Sequence, residues 1–294
     1  MVAKMDSYIQ KGDLIIFDDK HYLYCGNSTD EKSYQHIKEQ ATMTLTSPPY
    51  NVGKNNYGST AKCEGQKYLS KQDDIMSDED YFNLMSKVLE QTMNKSKYVF
   101  WNIAHTSGNK IALIDFNHKY KKNYVDTIIW AKKVSLPAIE PNVLNSDFEY
   151  IYIYSLLKDN GRHIRIGQDF RGTLSNVIYE DRNMQNEYAS IHSALMPLKL
   201  AEKIILQFTN EDDLIIDPFG GLGTTMMACI KNKRRCCSIE LQPFYCEKTI
   251  ERYLDFVVGK PNVKIIRGDE TIPYEKIREL CKKDQYSLFD YEEE

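Results

Sequence analysis

The chain has 294 residues, 42% hydrophobic and 27% charged, ordinary values for a globular protein and enough for a single α/β domain over residues 1–294. It has no run of 18 apolar residues and residues 1–10 are polar, so neither a membrane-spanning helix nor a signal peptide is expected, and the expected location is cytoplasmic. The net charge of -4 supplies no overall basic field, so any contact with nucleic acid has to come from local patches.

In chain order, residues 14–17 and 22–25 read as short strands forming a hairpin around Asp18-Asp19-Lys20. A short helix is expected at 30–39. Residues 41–46 read as a strand that ends at Ser47-Pro48-Pro49-Tyr50, because two prolines cannot donate to a ladder. Residues 51–78 are polar and rich in Gly, Asn, Lys and Ser, the composition of a long mobile loop. Ser77 with Asp80 three residues on marks a helix start, and Phe82, Met85, Val88, Leu89 and Met93 follow at helical spacing.

Strands are expected at 97–103, 125–130 and 147–155, with a helix at 109–117 between the first two. Residues 158–190 are polar and irregular. A helix at 197–208 leads to a short apolar strand at 214–217. A helix at 224–231, a strand at 236–240, a helix at 244–256 and a strand at 263–266 complete the pattern, and residues 285–294, which end in the acidic Asp290, Glu292, Glu293 and Glu294, read as a disordered tail. This alternation predicts a mostly parallel sheet covered on both faces, which binds ligands beyond the carboxyl ends of its strands.

The seven cysteines, Cys25, Cys63, Cys229, Cys236, Cys237, Cys246 and Cys281, form no C-x-x-C pair, and no histidine spacing suggests zinc, so no metal is expected. Basic stretches occur at Lys119, Lys121 and Lys122, at Arg162, His163 and Arg165, and at Lys231, Lys233, Arg234 and Arg235. Each reads first as solvated surface and second as a phosphate contact.

The segment Asp217-Pro218-Phe219-Gly220-Gly221-Leu222-Gly223-Thr224-Thr225 follows a buried strand and opens a helix. Glycines let the backbone turn sharply and approach a ligand, and the helix start offers unpaired N–H groups to an anionic end. The strand 236–240 ends in Glu240, placed to accept from ribose hydroxyls. The segment has neither the G-x-G-x-x-G order nor G-K-[ST], and by itself is compatible with a plain helix start as well as a nucleoside site.

The turn Thr46-Ser47-Pro48-Pro49-Tyr50 removes two backbone donors and leaves carbonyls and the Ser47 hydroxyl as acceptors, which is what an exocyclic amino group needs. Tyr50 offers a flat face for a base taken out of the duplex. A rigid turn with a buried tyrosine is the bland alternative.

Together, the two segments resemble the amino-methyltransferase family of DNA methyltransferases. Asp217-Pro218-Phe219-x-Gly221-x-Gly223-Thr224-Thr225 is similar to its cofactor motif and Thr46-Ser47-Pro48-Pro49-Tyr50 to its catalytic motif. The catalytic motif comes first, as in the circularly permuted β group. Gly26-Asn27-Ser28, Ile128-Ile129-Trp130-x-Lys132, residues 192–197, Ile239-Glu240 and Tyr245-Cys246 match further segments, with Asn27 in place of an acid and Ser193 in place of a proline.

The resemblance implies a Rossmann-like fold with a mostly parallel seven-stranded sheet, helices on both faces, and S-adenosyl-L-methionine as cofactor. It assigns Ser47, Pro48, Pro49 and Tyr50 to catalysis, and Asp217, Phe219, Gly221, Gly223, Thr224, Glu240, Asn27 and Pro197 to cofactor binding. It also implies duplex DNA as partner, target recognition within 158–190, a homodimer and a cognate restriction endonuclease. A serine at position 47 accompanies cytosine N4 methylation in that family, and Asp or Asn accompanies adenine N6. No nucleophilic cysteine is required for direct transfer to an amine, and no Pro-Cys dipeptide of the C5-cytosine type occurs.

Overall fold

The computed structural model describes residues 7–52, 75–133, 142–158, 161–167, 175–181, 196–257, 259, 261–273, 275–277 and 279. Most of the loop expected at 51–78, Cys63 and Cys281, residues 192–195 and the tail at 285–294 lie outside the described residues.

Strands β1 (Leu14–Phe17), β2 (His21–Cys25), β3 (Ala41–Thr46), β4 (Ser96–Ile103), β5 (Tyr124–Ala131), β6 (Phe148–Tyr154), β7 (Val177–Tyr179), β8 (Leu214–Asp217), β9 (Arg235–Glu240), β10 (Val263–Arg267) and β11 (Glu270–Ile272) form one sheet. Their order is β11-β10-β1-β2-β9-β8-β3-β4-β6-β5-β7. The inner block β2-β9-β8-β3-β4 is parallel throughout. The margins add antiparallel pairs, β1 with β2 and β10 and β10 with β11 on one side, and β6 with β4 and β5 on the other. The expectation of seven mostly parallel strands is therefore corrected to an eleven-stranded mixed sheet around a parallel centre. The three-residue strands β7 and β11 are too short to leave a periodic signal.

Helices α1 (Asp78–Lys95) and α2 (Lys110–Lys119) cover one face, and α3 (Leu198–Phe208), α4 (Thr224–Lys231) and α5 (Pro243–Phe256) cover the other. The alternation of β4 explains the division. Tyr98 and Phe100 pack toward α3, α4 and α5, whereas Val99, Trp101 and Ile103 pack toward α1 and α2. Ser77 caps α1 by accepting from the Asp80 N–H at 3.1 Å. The β1–β2 hairpin turns through Asp18 and Asp19 with φ of 49° and 55°, a conformation that suits Asp.

The helix expected at 30–39 is a single 3-10 turn, Glu31–Tyr34. Asp30 caps it by accepting from the Lys32 N–H at 3.0 Å. The Tyr34 hydroxyl donates to the Ser28 carbonyl at 2.9 Å, so one turn suffices to deliver Tyr34 and Ile37 to the core beside β8 and β9.

Candidate active site

The parallel strands deliver their carboxyl ends to one edge of the sheet, with β3 directly beside β8. The Thr46 hydroxyl, last on β3, donates to Asp217 Oδ1, last on β8, at 2.7 Å. The turn of two prolines and the glycine-rich turn thus start from hydrogen-bonded neighbours. Burial holds the Asp217 carboxyl above its usual range, opposed by the hydroxyls of Thr46 and Thr225 and the Phe219 N–H.

Gly221 and Gly223 adopt φ of 51° and 72°, the left-handed region. A Cβ on Gly223 would stand 2.7 Å from Thr249 Cγ2, whereas one on Gly221 would meet nothing closer than the Phe219 carbonyl at 4.0 Å. Gly223 is therefore required for packing against α5, and Gly221 leaves bare backbone on the open side of the turn. From behind, the Thr249 hydroxyl donates to the Gly221 carbonyl at 3.1 Å and Arg252 Nη1 to the Leu222 carbonyl at 2.8 Å. Arg252 Nη1 also reaches the Thr224 hydroxyl at the start of α4, at 3.2 Å.

Glu240 ends β9 and is 8% exposed. Its Oε2 accepts from the Gly221 N–H at 2.8 Å and its Oε1 from the Gln242 N–H at 2.8 Å. Burial pushes its pKa up to about 7, against the pull of those backbone donors. Asn27 follows β2 next to β9, and the Gly26 N–H donates to the Glu240 carbonyl at 2.9 Å. Asn27 is exposed, and its Oδ1 accepts from the Thr29 N–H at 2.9 Å.

Pro197 caps α3, its carbonyl accepting from Leu200 and Ala201, and no described hydrogen bond links it to Asp217 or Glu240. Phe219 points to the other face, edge-on to Trp101 with ring centroids 6.1 Å apart. The expected cofactor residues thus divide into an assembled set (Asp217, Gly221, Gly223, Thr224 and Glu240) and three flanking ones. A carboxylate at the strand end, bare glycine backbone and the start of α4 suit a ligand with a sugar diol and an anionic end.

In the neighbouring turn, Pro48 is buried and Ser47, Pro49 and Tyr50 are half-buried. The Pro49 carbonyl accepts from the Tyr81 hydroxyl at 2.7 Å, and the Tyr50 carbonyl from Asn109 Nδ2 at 2.6 Å. Among the described residues nothing donates to the Pro48 carbonyl. Asn51 takes φ 48° and clasps Met76 through both of its backbone groups, at 2.8 and 3.1 Å.

The Tyr50 hydroxyl donates to Glu149 Oε2 at 2.6 Å. Glu149 Oε1 pairs with Lys132 Nζ at 2.9 Å, and both side chains are buried. Burial first and the Glu149 charge second push the Tyr50 hydroxyl well above its usual range. Glu149 escaped the sequence reading. Its signal is a charge on the inward side of an aromatic strand, Phe148-Glu149-Tyr150. Lys132 stood in a matched segment without a role.

The basic stretch at 231–235 is spent on structure. Lys231 pairs with Glu202, Lys233 with Glu211 and Arg235 with Glu39, while Arg234 is buried against Thr209. Arg162 pairs with Asp126, and Lys119 with Glu90. Cys25, Cys229, Cys236, Cys237 and Cys246 are buried free thiols, and burial pushes those of Cys229, Cys237 and Cys246 up. No group of three His, Cys, Asp or Glu among the described residues is placed to hold a metal ion, and none of the described helices is long and apolar enough to cross a membrane.

The chain is similar to proteins of known class. The orphan methyltransferase M.BamHII of Bacillus amyloliquefaciens is 30% identical over 172 residues, 46% of this chain and 64% of that protein. This chain therefore covers somewhat less than two thirds of that relative. The type II methyltransferase M.HpaI of Haemophilus parainfluenzae is 24% identical over 252 residues, 78% of this chain and 73% of its own length. In fold, the chain is similar to the PvuII cytosine-N4-specific DNA methyltransferase, with TM-score 0.61, 18% identity, and coverage of 90% of this chain and 92% of that one. The family model for N6 and N4 methyltransferases, described as DNA methylase, matches residues 41–251, a span that takes in both turns. The chain belongs to this DNA methylase family.

Proposed function

We propose that the chain transfers a methyl group from S-adenosyl-L-methionine to an exocyclic amino nitrogen in duplex DNA, with cytosine N4 as the target. The observation that carries this reading is the Thr46–Asp217 hydrogen bond at 2.7 Å, which joins the acceptor-rich turn to the glycine-rich turn on one edge of the sheet.

When bound, the cofactor supplies a methyl group on a sulfonium, an electrophile that an amine attacks directly. Glu240 accepts from the ribose hydroxyls, Gly221 and Gly223 admit the ligand close to the backbone, and the start of α4 favours its carboxylate. Asp217 and Phe219 hold the shape of the turn, with Asn27 and Pro197 at its flanks. Ser47 Oγ and the Pro48 carbonyl accept the N–H bonds of the target amine and hold its lone pair toward the methyl group. One N–C bond forms, one C–S bond breaks, and the amine releases one proton to water.

The target base leaves the stack at a cost of a few kcal/mol, and stacking on Tyr50 returns about 1–3 kcal/mol. Serine at position 47 supports cytosine over adenine, following the family's association of Ser with N4 transfer. Residues 158–190 are the proposed recognition segment. A homodimer and a cognate restriction endonuclease reading the same site complete the proposal.

The test is to incubate the protein with S-adenosylmethionine and mixed-sequence duplex DNA, digest to nucleosides and identify the product by mass spectrometry. N4-methylcytosine is the expected product. N6-methyladenine would keep the chemistry and move the target. No methylated nucleoside would favour a recognition sequence absent from the DNA, an RNA substrate, or a non-catalytic DNA-binding or assembly subunit.

A further inference from the structure

Tyr50 has one hydroxyl proton and three oxygens within reach. Glu149 Oε2 lies at 2.6 Å, Ser47 Oγ at 3.1 Å and Asn102 Oδ1 at 3.4 Å. Glu149, paired with Lys132 through Oε1 at 2.9 Å, is an acceptor only. Asn102 Nδ2 donates to Glu149 Oε2 and to the Tyr150 carbonyl, each at 3.2 Å, which turns its Oδ1, also an acceptor only, toward Tyr50. The Tyr50 proton therefore goes to Glu149, the nearest acceptor and the charged one.

The consequence falls on Ser47. With its proton committed, the Tyr50 oxygen offers only lone pairs to Ser47, so the Ser47 hydroxyl is the donor in the 3.1 Å contact. Ser47 then has lone pairs left and no proton to give. Left to itself, a serine hydroxyl rotates to suit either a donor or an acceptor.

We infer that the buried Lys132–Glu149 pair acts through Tyr50 to fix the direction of this hydrogen-bond chain, making Ser47 an obligate acceptor matched to an amino group and mismatched to a carbonyl at the same ring position. Lys132 and Glu149 are positioning residues, and they never touch the base. Two charges taken out of water beneath a turn cost more than apolar packing there would, and setting this polarity is a reason to keep them. The inference rests on the proposed amino-methyl transfer.

The experiment is a double-mutant cycle on the full chain. Single-turnover transfer from tritiated S-adenosylmethionine to unmethylated bacterial genomic DNA is measured for the wild type, Tyr50→Phe, Glu149→Gln and the double variant, with cofactor affinity by calorimetry in parallel. Each single variant is expected to slow transfer at least about tenfold with cofactor affinity within about twofold, and the double variant to be no more than about twofold slower than the worse single, because one chain is cut twice. Should Glu149→Gln fail to fold, Lys132→Met with Glu149→Gln removes both charges together.

Polarity itself is read with a duplex in which the methylated base, located by sequencing the product, is replaced by its keto counterpart, uracil or hypoxanthine. The wild type should bind this duplex at least about tenfold more weakly than the amino one, and Tyr50→Phe should narrow the gap to about twofold. Multiplicative losses, an unchanged rate in Tyr50→Phe or no keto discrimination by the wild type would overturn the inference while leaving the methyltransferase reading intact. A wild-type protein that methylates no DNA overturns that reading and the inference with it.

Discussion

The Gly221 N–H donates to Glu240 Oε2 at 2.8 Å, so the glycine-rich turn and the acid of the next strand are one hydrogen-bonded unit. Burial pushes Glu240 up to about 7 from an ordinary 4.5. Its contribution to folding stability is therefore complete below 4.5 and is lost as the pH rises through about 7. Cofactor affinity runs the other way, because ribose hydroxyls need the lone pairs of the carboxylate. Calorimetry should find S-adenosylmethionine bound about tenfold more tightly at about pH 8 than at about pH 6, and Glu240→Gln should flatten the profile. A flat wild-type profile would remove Glu240 from the ribose site.

Gly221 and Gly223 share a left-handed backbone but not their surroundings. Gly223→Ala meets both backbone strain and Thr249, so it should lower stability by about 2–4 kcal/mol in urea unfolding. Gly221→Ala meets the strain alone and should cost about 1–2 kcal/mol. The larger Gly221→Val fills the open side of the turn and should abolish cofactor binding in a chain that still unfolds cooperatively. Retained binding in Gly221→Val would place the ligand elsewhere.

These contrasts show what was legible in the sequence. The helix at 224–231 has the predicted bounds because Gly223 and Asn232 punctuate it. Of the inner strands, β3 was legible by the prolines that stop it, and β8 and β9 by the acids that end them. The turns at 47–50 and 217–225 were readable because their chemistry is local. Lys132 and Glu149 acquire their role only across the sheet, where Tyr50 meets Glu149 over 99 positions of sequence. No periodicity or spacing rule encodes that contact, which comes from β4, β6 and β5 lying side by side. At the margins the β1–β2 hairpin and strands β5, β6 and β10 were legible, and only the three-residue β7 and β11 were missed, since so short a strand joins a sheet through its neighbours' backbone and not its own pattern.

The Thr46–Asp217 bond gives a separate prediction. Asp217 is buried, and its Oδ1 accepts from the Thr46 hydroxyl at 2.7 Å and from the Phe219 N–H at 3.2 Å. Thr46→Val keeps the shape of the side chain and removes one donor from a buried carboxylate. Stability should fall by about 1–3 kcal/mol, more steeply at high pH, where the carboxyl is ionised. Thermal unfolding at several pH values measures this, and a loss independent of pH would mean that Asp217 does not titrate within the range.

Asn51 fastens the turn's far side. Its side chain bonds Met76 at 2.8 and 3.1 Å and the Gly108 carbonyl at 2.6 Å, from a left-handed backbone. Asn51→Ala loses all three bonds and strains φ, so it should cost about 2–4 kcal/mol. Asn51→Gly loses the bonds without the strain and should recover about 1 kcal/mol of that. Equal losses in urea unfolding would show that the backbone conformation contributes nothing.

Tyr50 combines a buried hydroxyl with a residue that stays half-exposed at the turn. The two ends make different predictions. Phenylalanine removes the hydroxyl and keeps the ring, whereas alanine removes both. If the ring receives the extruded base, Tyr50→Ala should slow transfer beyond the Tyr50→Phe loss by a further factor of about 5–100, the equivalent of about 1–3 kcal/mol of stacking. Neither variant should shift S-adenosylmethionine affinity by more than about twofold, because the cofactor residues hang on β8 and β9 and not on this turn. Rates are to be read under single turnover, so that product release does not mask the chemical step. Equal rates for Phe and Ala would assign Tyr50 to the hydrogen-bond chain alone, and parallel losses of transfer and cofactor affinity would make it a structural residue of the edge.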